Sequence, residues 1–209
     1  TQLNLAGSTT RVGGDASLTA SNGLDHRGAD LLAAGLLTVR AGGSFDNSTL
    51  NGVGGQLQAA RLDLGAASLR NTGGTLVQSG SGQTRIAITG AFDNGNGKLA
   101  TNGQDLTLSA ASLNNAQGRI EHAGTGTATL SIGGAVANAG GRILTQGQLQ
   151  LGANNAGIDN QNGAIAAAGD ATLTAASLSN VGGSVSARGV NAQLGGALDN
   201  RSGVLQAAG

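Results

Sequence analysis

The stretch Leu198-Asp199-Asn200-Arg201-Ser202-Gly203-Val204-Leu205 contains three positions that recur along the 209-residue chain. An apolar residue stands two positions before Asn, a Gly three positions after it, and an aliphatic residue five positions after it. All three keep their spacing through seven successive copies, which is hard to obtain by chance. The chain is therefore built from internal repeats.

The repeated Asn sets the period. The intervals counted from position 26 are 21, 24, 23, 21, 23, 22, 20 and 20 residues, with a mean of about 22. An early degenerate copy, Leu24-Asp25-His26, has His in place of Asn. The copy that begins at Asn47 contains extra residues, 48–53, and regains phase at Gly55 and Leu57. The repeated Asn residues are Asn47, Asn71, Asn94, Asn115, Asn138, Asn160, Asn180 and Asn200. The repeated Gly residues are Gly74, Gly97, Gly118, Gly141, Gly163, Gly183 and Gly203.

Each repeat contains three short segments with alternating polarity. One includes the aliphatic residue after Gly, one is a Leu-x-Leu segment such as Leu106/Leu108 or Leu130/Ile132, and one ends at the repeated Asn. Alternation with a period of two predicts strands, and segments this short leave no room for helices. The chain also has only one Lys and one Glu, fewer of these good helix formers than a helical protein uses.

Three strands in a 22-residue repeat predict one coil of a parallel β-helix, an all-β solenoid. No coil can bury its inner face alone, whereas stacked coils share one core. We expect residues 1–209 to form a single segment of about 9–10 coils, a rod about 45 Å long at about 4.8 Å per coil. A meander or sandwich is the alternative fold, but its hairpins would not keep a 22-residue phase.

The recurring Asn and Gly fit the corners of such a coil. We predict that the repeated Gly provides positive φ without a steric penalty from Cβ. We expect the Asn side chains to point into the stack and to hydrogen-bond backbone groups of their own or adjacent coils. Both sets are therefore predicted to be structural. The absence of Pro agrees, because Pro would remove a hydrogen bond between coils.

Composition argues against several classes of partner. Eleven basic residues balance eleven acidic ones, so nothing indicates binding to nucleic acid or to an anionic membrane. No apolar run approaches the about 18 residues of a membrane-spanning helix. The protein has no Cys, which excludes disulfides and thiolate metal sites. It begins at Thr1 without a signal peptide, which suggests a fragment of a much longer protein.

The residues that could carry chemistry are few and scattered. His26 and His122 lie about four repeats apart, too far for one site, and the sequence offers no zinc cluster. Asp46, Asp93 and Asp159 share one phase with Asp199, but the coils between them lack a carboxylate at that phase, which is unfavourable for calcium.

No Gly-x-Ser-x-Gly elbow or phosphate-binding loop is present, so we predict no catalytic, cofactor or metal site. Sugar-stacking aromatic residues are missing as well, because Phe45 and Phe92 occupy inward positions. The insertion at 48–53 is the one predicted bulge, and we consider it the first place to look for a partner contact.

Segments such as Leu178-Ser179-Asn180-Val181-Gly182-Gly183 and Gly169-Asp170-Ala171-Thr172-Leu173-Thr174-Ala175 resemble the haemagglutinin repeats of filamentous haemagglutinins. These giant exoproteins of bacterial two-partner secretion include adhesins and the stalks of contact-dependent growth-inhibition toxins. The resemblance covers roughly residues 18–209. It implies a right-handed parallel β-helix, export through an outer-membrane partner transporter, and a secreted or cell-surface location in a Gram-negative bacterium.

Three functions remain open at this stage. The first is a structural rod that projects an adhesive or toxin-delivering region, with neighbouring coils of the same protein as its permanent partners. The second is an adhesin segment that binds a receptor on a host or target cell directly. The third, a polysaccharide-active β-helix enzyme, would require clustered carboxylates.

Overall fold

The computed structural model describes residues 1–209 and contains strands and turns without any helix. The strands are β1 (Leu3–Asn4), β2 (Thr9–Val12), β3 (Ala16–Ala20), β4 (Leu24–Asp25), β5 (Asp30–Asp46), β6 (Thr49–Leu50), β7 (Val53–Gly54), β8 (Gln56–Arg70), β9 (Thr75–Gln78), β10 (Thr84–Ile88), β11 (Ala91–Asp93), β12 (Lys98–Thr101), β13 (Leu106–Ala110), β14 (Ser112–Asn114), β15 (Arg119–His122), β16 (Thr127–Ile132), β17 (Val136–Ala137), β18 (Arg142–Thr145), β19 (Gln148–Asp159), β20 (Ala164–Ala167), β21 (Ala171–Ser179), β22 (Ser184–Ala187), β23 (Val190–Leu194), β24 (Leu198–Asp199) and β25 (Val204–Ala207). No part of the protein forms a helix long and apolar enough to cross a membrane.

Twenty-three of these strands pair in parallel with the equivalent strands of neighbouring coils. One coil is β9, β10 and β11, and the next is β12, β13 and β14, paired strand by strand. The longest strands, β5 and β8, run through the corners and contribute to all three sides of their coils. The predicted parallel β-helix with three short strands per coil is therefore confirmed, with about nine coils spaced roughly 22 residues apart.

Like residues stack on like residues in the core. The aliphatic residue five positions after Asn forms one continuous file, in which Leu76 pairs with Leu99, Leu99 with Ile120, and Ile120 with Ile143. All four side chains are at most 1% exposed. Phe45 and Phe92 flank Leu69 in a second inward file, as predicted. Burial of each such side chain contributes about 1.5–3 kcal/mol, so the files are the main source of stability.

The Leu-x-Leu segments of successive coils do not always stack pair on pair. Leu106 pairs with Ala128, and Leu108 pairs with Leu130. Each of these two strands has three inward positions. β13 places its large side chains at the first two, and β16 at the last two. A large residue thus lies beside a small one in the next coil, which keeps the interior filled.

Residues 48–53 are not the only irregularity, contrary to the prediction. The register also shifts between Ala33 and Leu36, between Ala41 and Ser44, and between Ala153 and Gly157. What is unique to the insertion is its form. β6 and β7 make the one antiparallel pair in the molecule, a short hairpin that stands on a corner of the helix.

Candidate functional site

The repeated Asn side chains form a hydrogen-bonded ladder along the inside of one corner. Each Nδ2 donates to Oδ1 of the Asn in the next coil, from Asn47 to Asn71 and onward to Asn200, at 2.6–2.7 Å. Asn47 through Asn180 have no exposed surface, whereas Asn200 at the end of the ladder is half-buried. The ladder therefore lies in a low-dielectric interior, where its hydrogen bonds are strong and costly to break.

The second proton of each amide binds the backbone of the following coil. Asn94 donates to the carbonyl of Arg119, and Asn115 to that of Arg142, both at 3.1 Å. Because one amide has donors and an acceptor, it can join its own coil to those on either side. Neither Asp nor Leu at this position could accept and donate in the same way.

His26 begins the ladder in place of an Asn. Its Nδ1 lies 2.7 Å from Asn47 Oδ1, and because Asn47 Oδ1 is an acceptor, Nδ1 must carry the proton. The ring is 1% exposed and meets Phe45 edge-on at 6.3 Å between ring centroids. Burial lowers the pKa of His26 below its usual value, against the opposing effects of the Asn47 hydrogen bond and the nearby carboxylates of Asp30 and Asp25.

The repeated Gly residues are required for close approach, and the prediction that they provide positive φ is wrong. None of them has positive φ. A Cβ atom added at Gly74, Gly118 or any of the other five would lie 2.1–2.3 Å from the backbone oxygen of the ladder Asn in the preceding coil. That contact is far inside van der Waals distance, so no side chain fits at this position while the coils keep their spacing.

Positive φ occurs one residue earlier, at the position that precedes each repeated Gly. The repeated Asn and Gly form the ends of a four-residue turn, as in Gly118, whose N–H donates to the Asn115 carbonyl at 3.0 Å. Positive φ at the third residue, and not at the second, is the geometry of a type II turn. These residues are Gly73, Asn96, Gln117, Gly140, Asn162, Gly182 and Ser202, with φ between 53° and 65°.

The residue just before each ladder Asn helps to shape the same corner. Oδ1 of Asp93 accepts the Gly95 N–H at 3.1 Å, and Oδ1 of Asp159 accepts the Gln161 N–H at 3.0 Å. Asp46 and Asp199 make the same turn with their own backbone two residues on. These carboxylates therefore act in local turns. Nowhere do three or more His, Cys, Asp or Glu side chains converge on a possible metal position.

A second buried polar file lies at another corner, and the sequence-based prediction missed it. It occupies the position seven residues after the repeated Asn and consists of Gln78, Thr101, His122 and Thr145. His122 Nε2 donates to the Gly103 carbonyl at 2.9 Å, while Nδ1 lies 2.8 Å from Thr145 Oγ1. The constant phase of this file in the repeat could have revealed it, but its residue types vary from coil to coil. His26 and His122 thus belong to different files and form no common site.

The corner hairpin covers glycines of the coils beside it. Its turn, Asn51-Gly52, has φ of 51° and 82°, the two positive values of a type I′ turn. Leu50 lies over Gly28, where an added Cβ would come within 2.8 Å of the Leu50 Cβ. Val53 is 56% exposed and is the most exposed large apolar side chain.

Charged groups lie on the outside and are largely paired. Arg188 binds Asp170 at 2.6 Å, and Arg201 binds Asp199 at 2.7 Å. These hydrogen bonds lower the pKa of both carboxyls, and Arg27 lowers that of Asp25 in the same way. On the face formed by β16, β19 and β21, an open depression of about 260 Å³ is lined by Thr and Ser hydroxyls, Gln150 and Gly152. It contains no titratable side chain.

Comparison with known families agrees with this geometry. A sequence profile described as the haemagglutinin repeat matches the protein four times, at residues 1–49, 11–96, 81–144 and 144–209. Comparisons with curated proteins and with solved structures gave no significant match. Together the four matches leave no part of the sequence uncovered. The chain therefore belongs to the haemagglutinin repeat family of filamentous-haemagglutinin-type proteins.

Proposed function

We propose that this protein is a structural rod segment of a large bacterial surface exoprotein, which holds an adhesive or toxin-delivering region away from the cell. The single observation that supports this role most strongly is the ladder, which runs through eight successive Asn residues without interruption. Each coil contributes a similar unit and contacts only its neighbours. Such a stack specifies length and stiffness, because its stability is approximately a sum of unit and nearest-neighbour terms.

The chemistry of the polar residues supports a non-enzymatic role. Both His rings are buried in files, and the Asp side chains accept backbone N–H groups or form surface ion pairs. A hydrolase or lyase would need a nucleophile, a base and an orienting group at one point. The haemagglutinin repeat family is structural or adhesive in type, which agrees with this proposal.

The family supports a proposal on location and export. We infer secretion to the surface of a Gram-negative bacterium through an outer-membrane partner transporter of the two-partner type. The absence of Cys and the abundance of Gly and small polar residues suit a polypeptide that crosses a membrane unfolded and folds outside, coil upon coil. Measuring surface exposure with and without the partner transporter tests this part of the proposal.

An in-phase deletion in the full-length exoprotein tests the rod. Removal of residues 160–179 joins Asp159 to Asn180, which restores the ladder from Asn138 to Asn180. We expect export and cell binding to persist. The control removes residues 160–169 and leaves the following coils out of phase, so it should not fold or reach the surface correctly.

A direct receptor-binding role is the second candidate, because the corner hairpin exposes Val53 at an otherwise regular corner. Replacement Val53→Ser leaves the core untouched. Loss of cell binding with normal export in this variant, or in the 160–179 deletion, would show that the segment binds a receptor directly and would contradict the rod. Retention in both would favour the rod.

A further inference from the structure

The sequence has six Asn-Gly dipeptides, at Asn22, Asn51, Asn94, Asn96, Asn102 and Asn162. Asn-Gly is chemically reactive because Gly has no side chain to shield its backbone nitrogen. That nitrogen can attack the amide carbon, Cγ, of the preceding Asn. The reaction requires the Asn side chain and the following peptide to turn toward each other, so the fold decides which dipeptides can react.

Three of the six are held in the ladder corner. Asn94 is a ladder residue without exposed surface, and the N–H of Gly95 donates to Asp93. The nitrogens of the other two Gly residues close the corner turns. Gly97 donates to the Asn94 carbonyl at 2.9 Å, and Gly163 to the Asn160 carbonyl at 3.0 Å. All three Gly residues are buried. Gly97 and Gly163 pack directly against backbone, and Gly95 packs against the Asp93 and Asn114 side chains, so none can turn toward its Asn side chain.

Two further dipeptides are held less tightly but in the same manner. Gly103 is buried, its N–H donates to Thr101 Oγ1 at 3.0 Å, and the Asn102 amide donates to the Ser79 carbonyl at 3.1 Å. Asn22 donates its N–H to the Thr1 carbonyl at 3.0 Å, and its own carbonyl accepts from Gly43. Hydrogen bonds to adjacent coils therefore restrict rotation at both sites.

Asn51-Gly52 differs from the other five. Both residues are exposed at the tip of the corner hairpin, and neither contributes a backbone hydrogen bond to an adjacent coil. Within the hairpin, two residue pairs join the strands, Thr49 with Gly54 and Leu50 with Val53. The tip beyond these pairs has few contacts, so it opens locally at low cost compared with the coils.

We propose that Asn51 is the site at which the folded protein undergoes spontaneous deamidation. The Gly52 nitrogen bonds to Cγ of Asn51, loses its proton to water, and the bond between Cγ and Nδ2 breaks with release of ammonia. Water then hydrolyses either C–N bond of the resulting succinimide and leaves aspartate or isoaspartate. No oxidant or enzyme is needed, and each event adds one negative charge to the corner.

The location keeps the reaction away from the core. The same change at Asn94 would place a carboxylate inside the ladder, where an ionised group without a partner is very costly. At Asn51 the new charge meets solvent. The surface at the hairpin therefore changes with the age of the molecule, while the stack of coils stays intact.

Peptide mapping by mass spectrometry tests this proposal. The folded protein is incubated at mildly alkaline pH, and conversion at each dipeptide is followed with time. We expect conversion at Asn51 at least tenfold faster than at Asn94, Asn96 or Asn162. In denaturant, all six should convert at comparable rates, because the protection comes from the fold.

Two results would overturn the proposal. One is a folded-state rate at Asn51 no faster than at Asn96 and Asn162. The other is an acidic species on ion exchange that persists in the Asn51→Gln variant. Gln forms the cyclic imide far more slowly, and Gln117 shows that this side chain accepts positive φ in this fold. Loss of the acidic species in that variant supports the assignment.

Discussion

The side-chain amide of Asn115 donates to Oδ1 of Asn138 in the next coil at 2.7 Å, and both side chains are fully buried. Asn138 in turn donates to Oδ1 of Asn160 at the same distance. One residue therefore links three coils. Substitutions in the ladder, in its turn and in the second polar file should therefore change the stability of the rod.

Replacement of Asn138 by Ala should destabilise the rod. Asn160 Oδ1 loses its donor and Asn115 loses one acceptor, and each buried group left without a partner costs about 1–3 kcal/mol. We expect a loss of about 2–5 kcal/mol in the free energy of unfolding. Asn191→Ala is the control, because Asn191 lies exposed on β23, outside the ladder. Equal denaturation midpoints for the two variants would mean that the ladder contributes nothing to stability.

Gly118→Ala should be among the most damaging single substitutions. Its Cβ would lie 2.2 Å from the Asn94 carbonyl oxygen, which is backbone and cannot rotate away. We expect a loss of about 3 kcal/mol or more, or failure to fold. In Gly133→Ala, by contrast, the nearest atom lies at 3.7 Å. Chemical denaturation of both variants tests whether the loss comes from the close approach at Gly118. If substitution were equally destabilising at any Gly, the two variants would lose similar free energies of unfolding.

Stability should fall as the pH falls below 6.5, through His26. Its folded-state pKa is lowered, so below 6.5 the unfolded state takes up a proton that the folded state does not. The loss should reach at most about 1.4 kcal/mol per pH unit. The stabilising contribution of His26 is fully present above pH 6.5 and is lost as the pH falls through the folded-state pKa. Carboxylates such as Asp25, with lowered pKa values, titrate well below this window.

The variant His26→Asn isolates that effect. It extends the ladder by one amide and removes the titrating group. We expect its thermal midpoint to change less than that of the parent protein between neutral pH and about pH 5. The same pH dependence in both proteins would assign the loss to other groups.

The second polar file should also be sensitive to a single hydroxyl. Thr145→Val keeps the side-chain shape but removes the partner of His122 Nδ1 and of the Gly147 N–H. Two buried groups are left unpaired, and we expect a loss of about 2–4 kcal/mol. Thr174→Val on the exposed face is the matched control. Urea midpoints for the two variants measure the difference, and indistinguishable midpoints would argue against a stabilising network.

The parallel β-helix and its aliphatic files could be predicted because one residue class is required at one phase. The file that contains Leu76, Leu99 and Ile120 accepts only aliphatic side chains, so its pattern is visible in a single sequence. The role of Gly118 could not be predicted in the same way. Gly is selected both for positive φ and for the absence of Cβ, and the residue type alone does not separate these causes.

The remaining misses have a similar origin. Positive φ falls on Gly140, Asn162 and Ser202, which keep one phase but differ in type. The file that contains His122 is polar in the middle coils but Ala at Ala167 and Ala187, because either class fills that corner. A sequence pattern reveals a position that accepts only one residue class. It does not reveal a position where several residue classes fit.

The most direct test of the repeat-set register is a pair of deletions in the isolated 209-residue protein, followed by far-UV circular dichroism and thermal unfolding. Deletion of residues 160–179 removes one whole coil, and we predict the same β-rich spectrum, cooperative unfolding and a rod shorter by about 4.8 Å. Deletion of residues 160–169 removes half a coil, and we predict loss of cooperative unfolding. If both variants fold equally well, or if the whole-coil deletion fails to fold, the repeated positions do not set the register between coils.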